Sequence, residues 1–358
     1  MTRFRPSTTA HVFGVFAAVL CIGLSADTFA QTTSTRRPTG KKLTLAQTTQ
    51  AKKPTYSAAN AKARRTSVAR SRAATQARTL REAQEPRFKL DANGALVPDV
   101  RAEAAIIYDS ATGHVLWELN SNNTRSIASI TKVMTAAVFM EDSPNLSDTV
   151  KVEYSDVRAA STTYLRSGYE VTKGDLLHLT LIASDNAAAR VLARVSKYGS
   201  EGFVARMNDK AKELGLTSTS YTDPSGLLSD NVSSAYDMAR LITYVSGDDR
   251  IASVMRKQNY TVNAGRRAIN IHSTNQLVMK GDVDVQAGKT GFIRSAGYCL
   301  ATLLRLPQGP EVAVVVLGAK SNAGRFWETR HLFNWLSSKA SDLLSTPVEA
   351  ATAATSNN

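Results

Sequence analysis

Arg125-Ser126-Ile127-Ala128-Ser129-Ile130-Thr131-Lys132-Val133-Met134-Thr135-Ala136 sets a serine and a lysine three residues apart at the start of an apolar run. The run reads as a helix to about Met140. Residues three apart on a helix share a face, about 5–6 Å apart at Cβ. A hydroxyl and an amine are thus paired near a helix start. The amine can take the hydroxyl proton where burial or neighbouring charge holds it neutral. The first backbone N–H groups of a helix lack internal partners and favour negative charge. Ser129, Lys132 and the helix end are therefore the parts of a nucleophile, its base and an oxyanion site. Taken alone, Ser-x-x-Lys is also a common pattern for a solvated surface pair, so the rest of the chain decides.

Outward from this stretch, 104–110 and 115–120 are strand-like runs separated by the turn Ala111-Thr112-Gly113-His114, which reads as a hairpin. A short strand is expected at 148–152. Helical runs follow at 175–183, 187–196, 202–214 and 235–245. Strand character returns at 259–263 and 268–272, then in two strongly apolar strands at 298–306 and 312–317. An amphipathic helix closes the pattern at 325–338. Strands, a helical middle, strands and a helix predict an α+β fold. In it, one antiparallel sheet is assembled from two sequence halves that flank a helical insertion. No internal repeat is visible.

Composition places the rest. The chain has 358 residues, with 43% apolar and 21% charged residues, ordinary for a globular protein. Its formal charge of +14 is concentrated in residues 31–90, where fifteen Lys and Arg face only Glu82 and Glu85. The basicity belongs to a tail and not to a folded face, which argues against a nucleic-acid-binding domain and for a cationic tether. That stretch is poor in large apolar groups and cannot offset its ordering entropy, so 31–97 reads as a disordered basic linker. It is either a contact to anionic lipid or wall, or a soluble spacer. Residues 1–30 read as a secretory signal, with Arg3 and Arg5 ahead of the apolar core at 12–24 and small residues at Ser25, Ala26, Thr28 and Ala30. A core of that length falls short of the roughly 20 residues a membrane span needs. Cleavage is expected after Ala30 or, alternatively, Ala26. Cys21 follows Leu20, where a lipidation site has a small residue. Only Cys299 then remains, within a run that reads as a buried strand, so the mature fold needs no disulfide. The folded region is expected over 98–340, with a flexible tail over 341–358. His114, His178, His272 and His331 show no metal-ligand spacing, and no metal or cofactor is expected.

Two further motifs follow the first in order, Ser184-Asp185-Asn186 after 55 residues and Lys289-Thr290-Gly291 after another 105. Each is modest by itself, since Ser-Asp-Asn can cap a helix and Lys-Thr-Gly can form a turn. The ordered trio is the pattern of penicillin-binding proteins and class A β-lactamases. Its chemistry is acyl transfer. Ser129 attacks a carbonyl, and Lys132 is the candidate base because no histidine is placed for the task. Ser184 relays a proton to the leaving amine. Asn186 bonds the substrate amide and Lys132. Lys289 offers a cation to a substrate carboxylate, with the Thr290 hydroxyl beside it. Gly291 lets an edge strand approach the ligand. The N–H groups of Ser129 and Phe292 are the expected oxyanion donors, worth about 2.7–4 kcal/mol each in other acyl-transfer enzymes.

On these motifs, residues 100–340 resemble the low-molecular-mass penicillin-binding proteins, the serine D-alanyl-D-alanine peptidases of the periplasm. Met207-Asn208-Asp209-Lys210-Ala211-Lys212-Glu213-Leu214-Gly215-Leu216 and Thr222-Asp223-Pro224-Ser225-Gly226-Leu227 are similar to stretches common in that family. The resemblance implies a penicillin-binding/β-lactamase-like transpeptidase fold, a five-stranded antiparallel sheet with a helical subdomain and the site between them. It implies peptidoglycan stem peptides as substrates and β-lactams as covalent inhibitors. A class A β-lactamase would carry a Glu-x-x-Leu-Asn loop between the second and third motifs, and 222–227 shows no such glutamate. The short C-terminal region and Lys289-Thr290-Gly291-Phe292-Ile293 resemble the endopeptidase branch. Carboxypeptidase activity shares the acylation step and stays open. A β-lactamase and a non-catalytic wall scaffold are the competing readings.

Overall fold

The computed structural model describes residues 58–307 and 309–345. The signal at 1–30, the first part of the linker and residues 346–358 lie outside them.

Five antiparallel strands build the central sheet: β1 (Ala104–Asp109), β2 (Val115–Leu119), β3 (Asp284–Ile293), β4 (Gly297–Arg305) and β5 (Glu311–Ala319). Their spatial order is β3-β4-β5-β1-β2. The pairing of β5 with β1, from Val312↔Asp109 to Leu317↔Ala104, joins the two sequence halves as expected. Side chains alternate along these strands with a period of two. Ile106, Ala301, Leu303, Ala313 and Val315 face one core. Ile107, Leu300, Leu304, Val314 and Val316 face the other. With both faces covered, β4 and β5 read as nearly unbroken apolar runs.

The helical layer holds α1 (Thr131–Met140), α2 (Lys173–Leu181), α3 (Asn186–Val195), α4 (Gly199–Glu213), α5 (Ala235–Ser246) and α6 (Asp249–Met255). All ten residues of α1 are buried, because α2, α3, α4 and α5 all pack against it. A helix that is apolar on every side belongs in such a position. Thr172, Asp185 and Ser234 cap α2, α3 and α5 by accepting the N–H groups of Asp175, Ala188 and Asp237, each worth about 1 kcal/mol. On the opposite face of the sheet lies α7 (Asn322–Ser345), anchored by Phe326, Leu332 and Phe333.

The structure departs from the sequence expectations in three places. Ser129 sits in a 3-10 turn, Ala128–Ile130, and α1 begins only at Thr131. Ala128 has φ +50° and cannot extend the α-helix backwards. Second, Ala58–Gln84 is helical, although composition made it part of a disordered linker. The stretch is rich in Ala, Arg and Gln, which favour helix without any packed face, and its described side chains are exposed. Third, Phe88–Leu90 pairs with Leu96–Pro98. This hairpin is held by the Arg87–Asp99 ion pair at 2.5 Å, and the Phe88 ring meets His331 of α7 edge-on at 4.9 Å. Ordered packing thus begins upstream of residue 98. No described helix is long and apolar enough to cross a membrane.

Candidate active site

The three sequence motifs meet in one cleft of about 480 Å³ between the helical layer and the edge strand β3. Ser129, Ser184, Asn186, Thr290, Gly291 and Phe292 line it. Lys132 and Lys289 lie beneath, at 0% and 1% exposure.

Lys132 makes the central contacts. Its Nζ lies 3.0 Å from Ser129 Oγ, 2.6 Å from Asn186 Oδ1 and 2.5 Å from the Ser225 carbonyl oxygen. Burial lowers its pKa to about 7, with Asp185 and Asp223 pulling the other way. A neutral amine has two hydrogens and one lone pair. With Asn186 Oδ1 and Ser225 O as acceptors, the lone pair is left for the Ser129 hydroxyl.

The Ser184 motif is held by strain and by a buried carboxylate. Ser184 adopts φ +60° between α2 and α3, a conformation that persists only when its surroundings enforce it. Asp185 Oδ1 accepts the Ala188 N–H at 2.9 Å and its Oδ2 accepts the Tyr164 N–H at 2.6 Å. Asn186 Nδ2 donates to the Ala160 carbonyl at 2.7 Å, which fixes the amide so that Oδ1 faces Lys132. One Nδ2 hydrogen is thereby occupied.

Lys289 Nζ donates to Ser184 Oγ at 2.8 Å and to the Thr290 carbonyl at 2.9 Å. Burial, then the positive charges of Lys132 and Arg325, push its pKa well below the ordinary lysine range. The cations lining the cleft itself are Arg294 and Arg325. Arg325, lowered by burial only to about 10, stays charged at neutral pH. Its Nη1 donates to the carbonyls of Gly291 at 2.9 Å and Cys299 at 3.2 Å. Sequence reading placed this residue only as the start of an amphipathic helix, and no local signal ties it to a strand 34 residues away.

Backbone proximity explains two glycines. A Cβ on Gly291 would fall 2.5 Å from the Ile127 carbonyl oxygen, so β3 passes the Ser129 turn more closely than any other residue permits. Gly226 has φ +75°, and a Cβ there would lie 2.1 Å from the Ala128 carbonyl oxygen. Phe292 is 50% exposed at the rim, its ring stacked on Tyr298 at 4.3 Å. Thr290 Oγ1 is 2.6 Å from Thr274 Oγ1. Cys299 is buried in β4, away from the cleft lining.

No Asp or Glu lines the cleft among the described residues. The glutamate that a class A β-lactamase uses to activate water has no counterpart there, and the 222–227 segment supplies a backbone carbonyl to Lys132 instead.

The model of the D-alanyl-D-alanine carboxypeptidase family matches residues 91–321. The chain belongs to this family. It is a serine D-Ala-D-Ala peptidase. The D-alanyl-D-alanine endopeptidase of Escherichia coli (strain K12) is 32% identical over 249 residues, covering 68% of this chain and 80% of that protein. A crystal structure of D-alanyl-D-alanine carboxypeptidase from Mycobacterium tuberculosis H37Rv superposes with a TM-score of 0.63 at 27% identity, covering 69% of this chain and 95% of that one. Penicillin-binding protein D2 from Listeria monocytogenes, solved in its cefotaxime-bound form, gives a TM-score of 0.59 at 27% identity, covering 66% and 97%.

Proposed function

We propose that the chain is an endopeptidase of peptidoglycan that opens D-alanyl cross-links through an acyl-enzyme on Ser129. The observation that carries this reading is the Lys132 amine, fully buried, held near neutrality and 3.0 Å from Ser129 Oγ. Lys132 takes the Ser129 proton as Oγ bonds to the D-alanyl carbonyl carbon. The resulting oxyanion is received by the N–H groups of Ser129 and Phe292, whose segments the missing Gly291 side chain brings together. Ser184, bonded to Lys289, delivers a proton to the leaving amine as the C–N bond breaks. Water then cleaves the ester. Arg325 and Thr290 receive the carboxylate of the leaving half, with Lys289 behind them. The endopeptidase branch is favoured by the likeness to the Escherichia coli endopeptidase over most of its length.

In this reading residues 1–30 direct export to the periplasm and 98–340 form the peptidase; the segment expected as a tail from 341 begins inside α7, which continues to Ser345. The basic segment, with Arg70, Arg72 and Arg81 exposed on the 58–84 helix, meets an anionic lipid or wall surface. β-Lactams acylate Ser129 in place of the peptide.

Digestion of purified sacculi by the full-length protein, with muropeptides followed by mass, tests the function. Cross-linked dimers converted to monomers support it. Pentapeptides shortened to tetrapeptides with dimers intact make the chain a carboxypeptidase, and unchanged muropeptides favour a scaffold.

A further inference from the structure

The loop from Thr222 to Asn231 lies outside the three motifs of the site, and it is built around one half-buried carboxylate, Asp223. Asp223 Oδ2 accepts the Ser225 N–H at 2.8 Å and also the Ser225 hydroxyl. Its Oδ1 accepts the Leu228 N–H at 3.2 Å and the Asn231 side-chain amide. Asn231, itself buried, returns the constraint. Its Oδ1 accepts the N–H groups of Thr222 at 2.9 Å and Asp223 at 3.3 Å, and its carbonyl accepts the Ile127 N–H at 3.1 Å, two residues before Ser129. The loop's carbonyls are thereby turned onto α1. Pro224 O accepts the Thr135 hydroxyl at 2.6 Å and Ser225 O accepts Lys132 Nζ at 2.5 Å.

We propose that Asp223 is a positioning residue for acyl transfer, holding the Ser225 carbonyl on Lys132 so that the amine keeps its lone pair for Ser129. The proposal rests on the reading of Lys132 as the base. Without a fixed Ser225 carbonyl, the amine is free to turn a hydrogen toward Ser129 Oγ, the wrong polarity for removing its proton. The charged groups facing Lys132 are Asp185 and Arg190 of the α3 segment, Lys289 of β3 and Asp223 of the loop. Asp223 is the one among them that both fixes a Lys132 partner and favours the protonated amine. Its carboxylate is kept ionised by the hydrogen bonds from Ser225, Leu228 and Asn231, against the effect of burial.

The test is the second-order rate of acylation by a fluorescent penicillin, measured on the full-length chain from about pH 5 to 9. The variants are Asp223→Asn, Asn231→Ala and Lys132→Ala, with thermal melts run alongside. In Asp223→Asn the plateau rate falls about tenfold, the scale of one misdirected hydrogen bond. The midpoint of its acid limb also moves to lower pH, because a negative charge near the amine has gone. In Asn231→Ala the plateau falls and the midpoint stays, since the charge remains. A merely structural loop lowers the melting temperature without moving any midpoint. Asp223→Asn with a wild-type profile, or with a reduced plateau and an unmoved midpoint, overturns the proposal. If Asp223→Asn does not fold, Asn231→Ala decides, and a wild-type plateau there overturns it. Lys132→Ala acylating at the wild-type rate removes the base on which the proposal stands, a failure recognisable apart from the others.

Discussion

Lys132 Nζ lies 2.6 Å from Asn186 Oδ1, a bond between two motifs 54 residues apart that locks the first turn of α1 to the first turn of α3. Because Asn186 Nδ2 is held by the Ala160 carbonyl, the amide can present only its oxygen to the amine. The acyl-transfer reading depends on this arrangement, and its consequences are measurable.

The first concerns pH. Burial lowers Lys132 to about 7, and only the neutral amine accepts a proton. The acylation rate of the wild-type chain therefore rises about tenfold per pH unit below that value and levels off above it. A rate that continues to climb toward the ordinary lysine range shows that Lys132 is not the base. The same shift bears on stability. The folded state holds fewer protons than the unfolded one between about 7 and the ordinary lysine value of 10.5, so this group's contribution to stability rises with pH across that window and is lost below it.

Asn186→Ala leaves the buried Lys132 amine one acceptor short, with Ser225 O and Ser129 Oγ remaining, and leaves the Ala160 carbonyl without the Asn186 donor. Each such group costs about 1–3 kcal/mol, so the melting temperature falls by several degrees, about 2–4 °C per kcal/mol in a domain of this size. Acylation falls more than stability alone explains, because Lys132 loses one of the two acceptors that orient it. Calorimetry with penicillin labelling at equal folded fraction checks both.

Gly226→Ala is severely destabilising. It sets a side chain at φ +75° and 2.1 Å from the Ala128 carbonyl oxygen, backbone that cannot move without shifting Ser129. A melt showing no loss, with normal labelling, contradicts the close approach.

Arg325→Gln removes the charge at the cleft wall while keeping a donor toward the Gly291 carbonyl. The effect on peptides ending in a free carboxylate is a rise in KM, with kcat/KM down roughly 10–100-fold, the scale of a charged hydrogen bond. Amidated peptides, already lacking the carboxylate, lose little. An equal loss on both substrates assigns Arg325 a purely structural role.

Cys299 is buried and its thiol is pushed up in pKa by that burial. Iodoacetamide accordingly alkylates the native protein far more slowly than the urea-unfolded protein, and Cys299→Ala retains acylation. Loss of labelling in a well-folded Cys299→Ala contradicts its assignment to packing.

The sheet and the motif trio were legible because each rests on local pattern. The apolar runs of β4 and β5 and the residues Ser129, Ser184 and Lys289 announce themselves in sequence. What sequence concealed acts at long range or through backbone. Ser225 contributes a carbonyl, which every residue possesses, and its neighbour Asp223 acts by shaping the turn that aims it. Arg325 reaches β3 from α7, and its apolar surroundings made it look like one more residue of an amphipathic helix. The 58–84 helix was missed for a different reason. Composition reports whether a segment can bury a face, and this helix forms without burying one. Ser129 was placed on the helix itself because the positive φ of Ala128 leaves no mark in a sequence where alanine is a strong helix former.

Peptide mapping of the penicillin-treated protein by mass spectrometry tests the central claim most directly. The account predicts a single penicilloyl adduct on Ser129, formed in the wild-type chain and absent from Ser129→Ala. An adduct on any other residue, or labelling that survives Ser129→Ala, contradicts it.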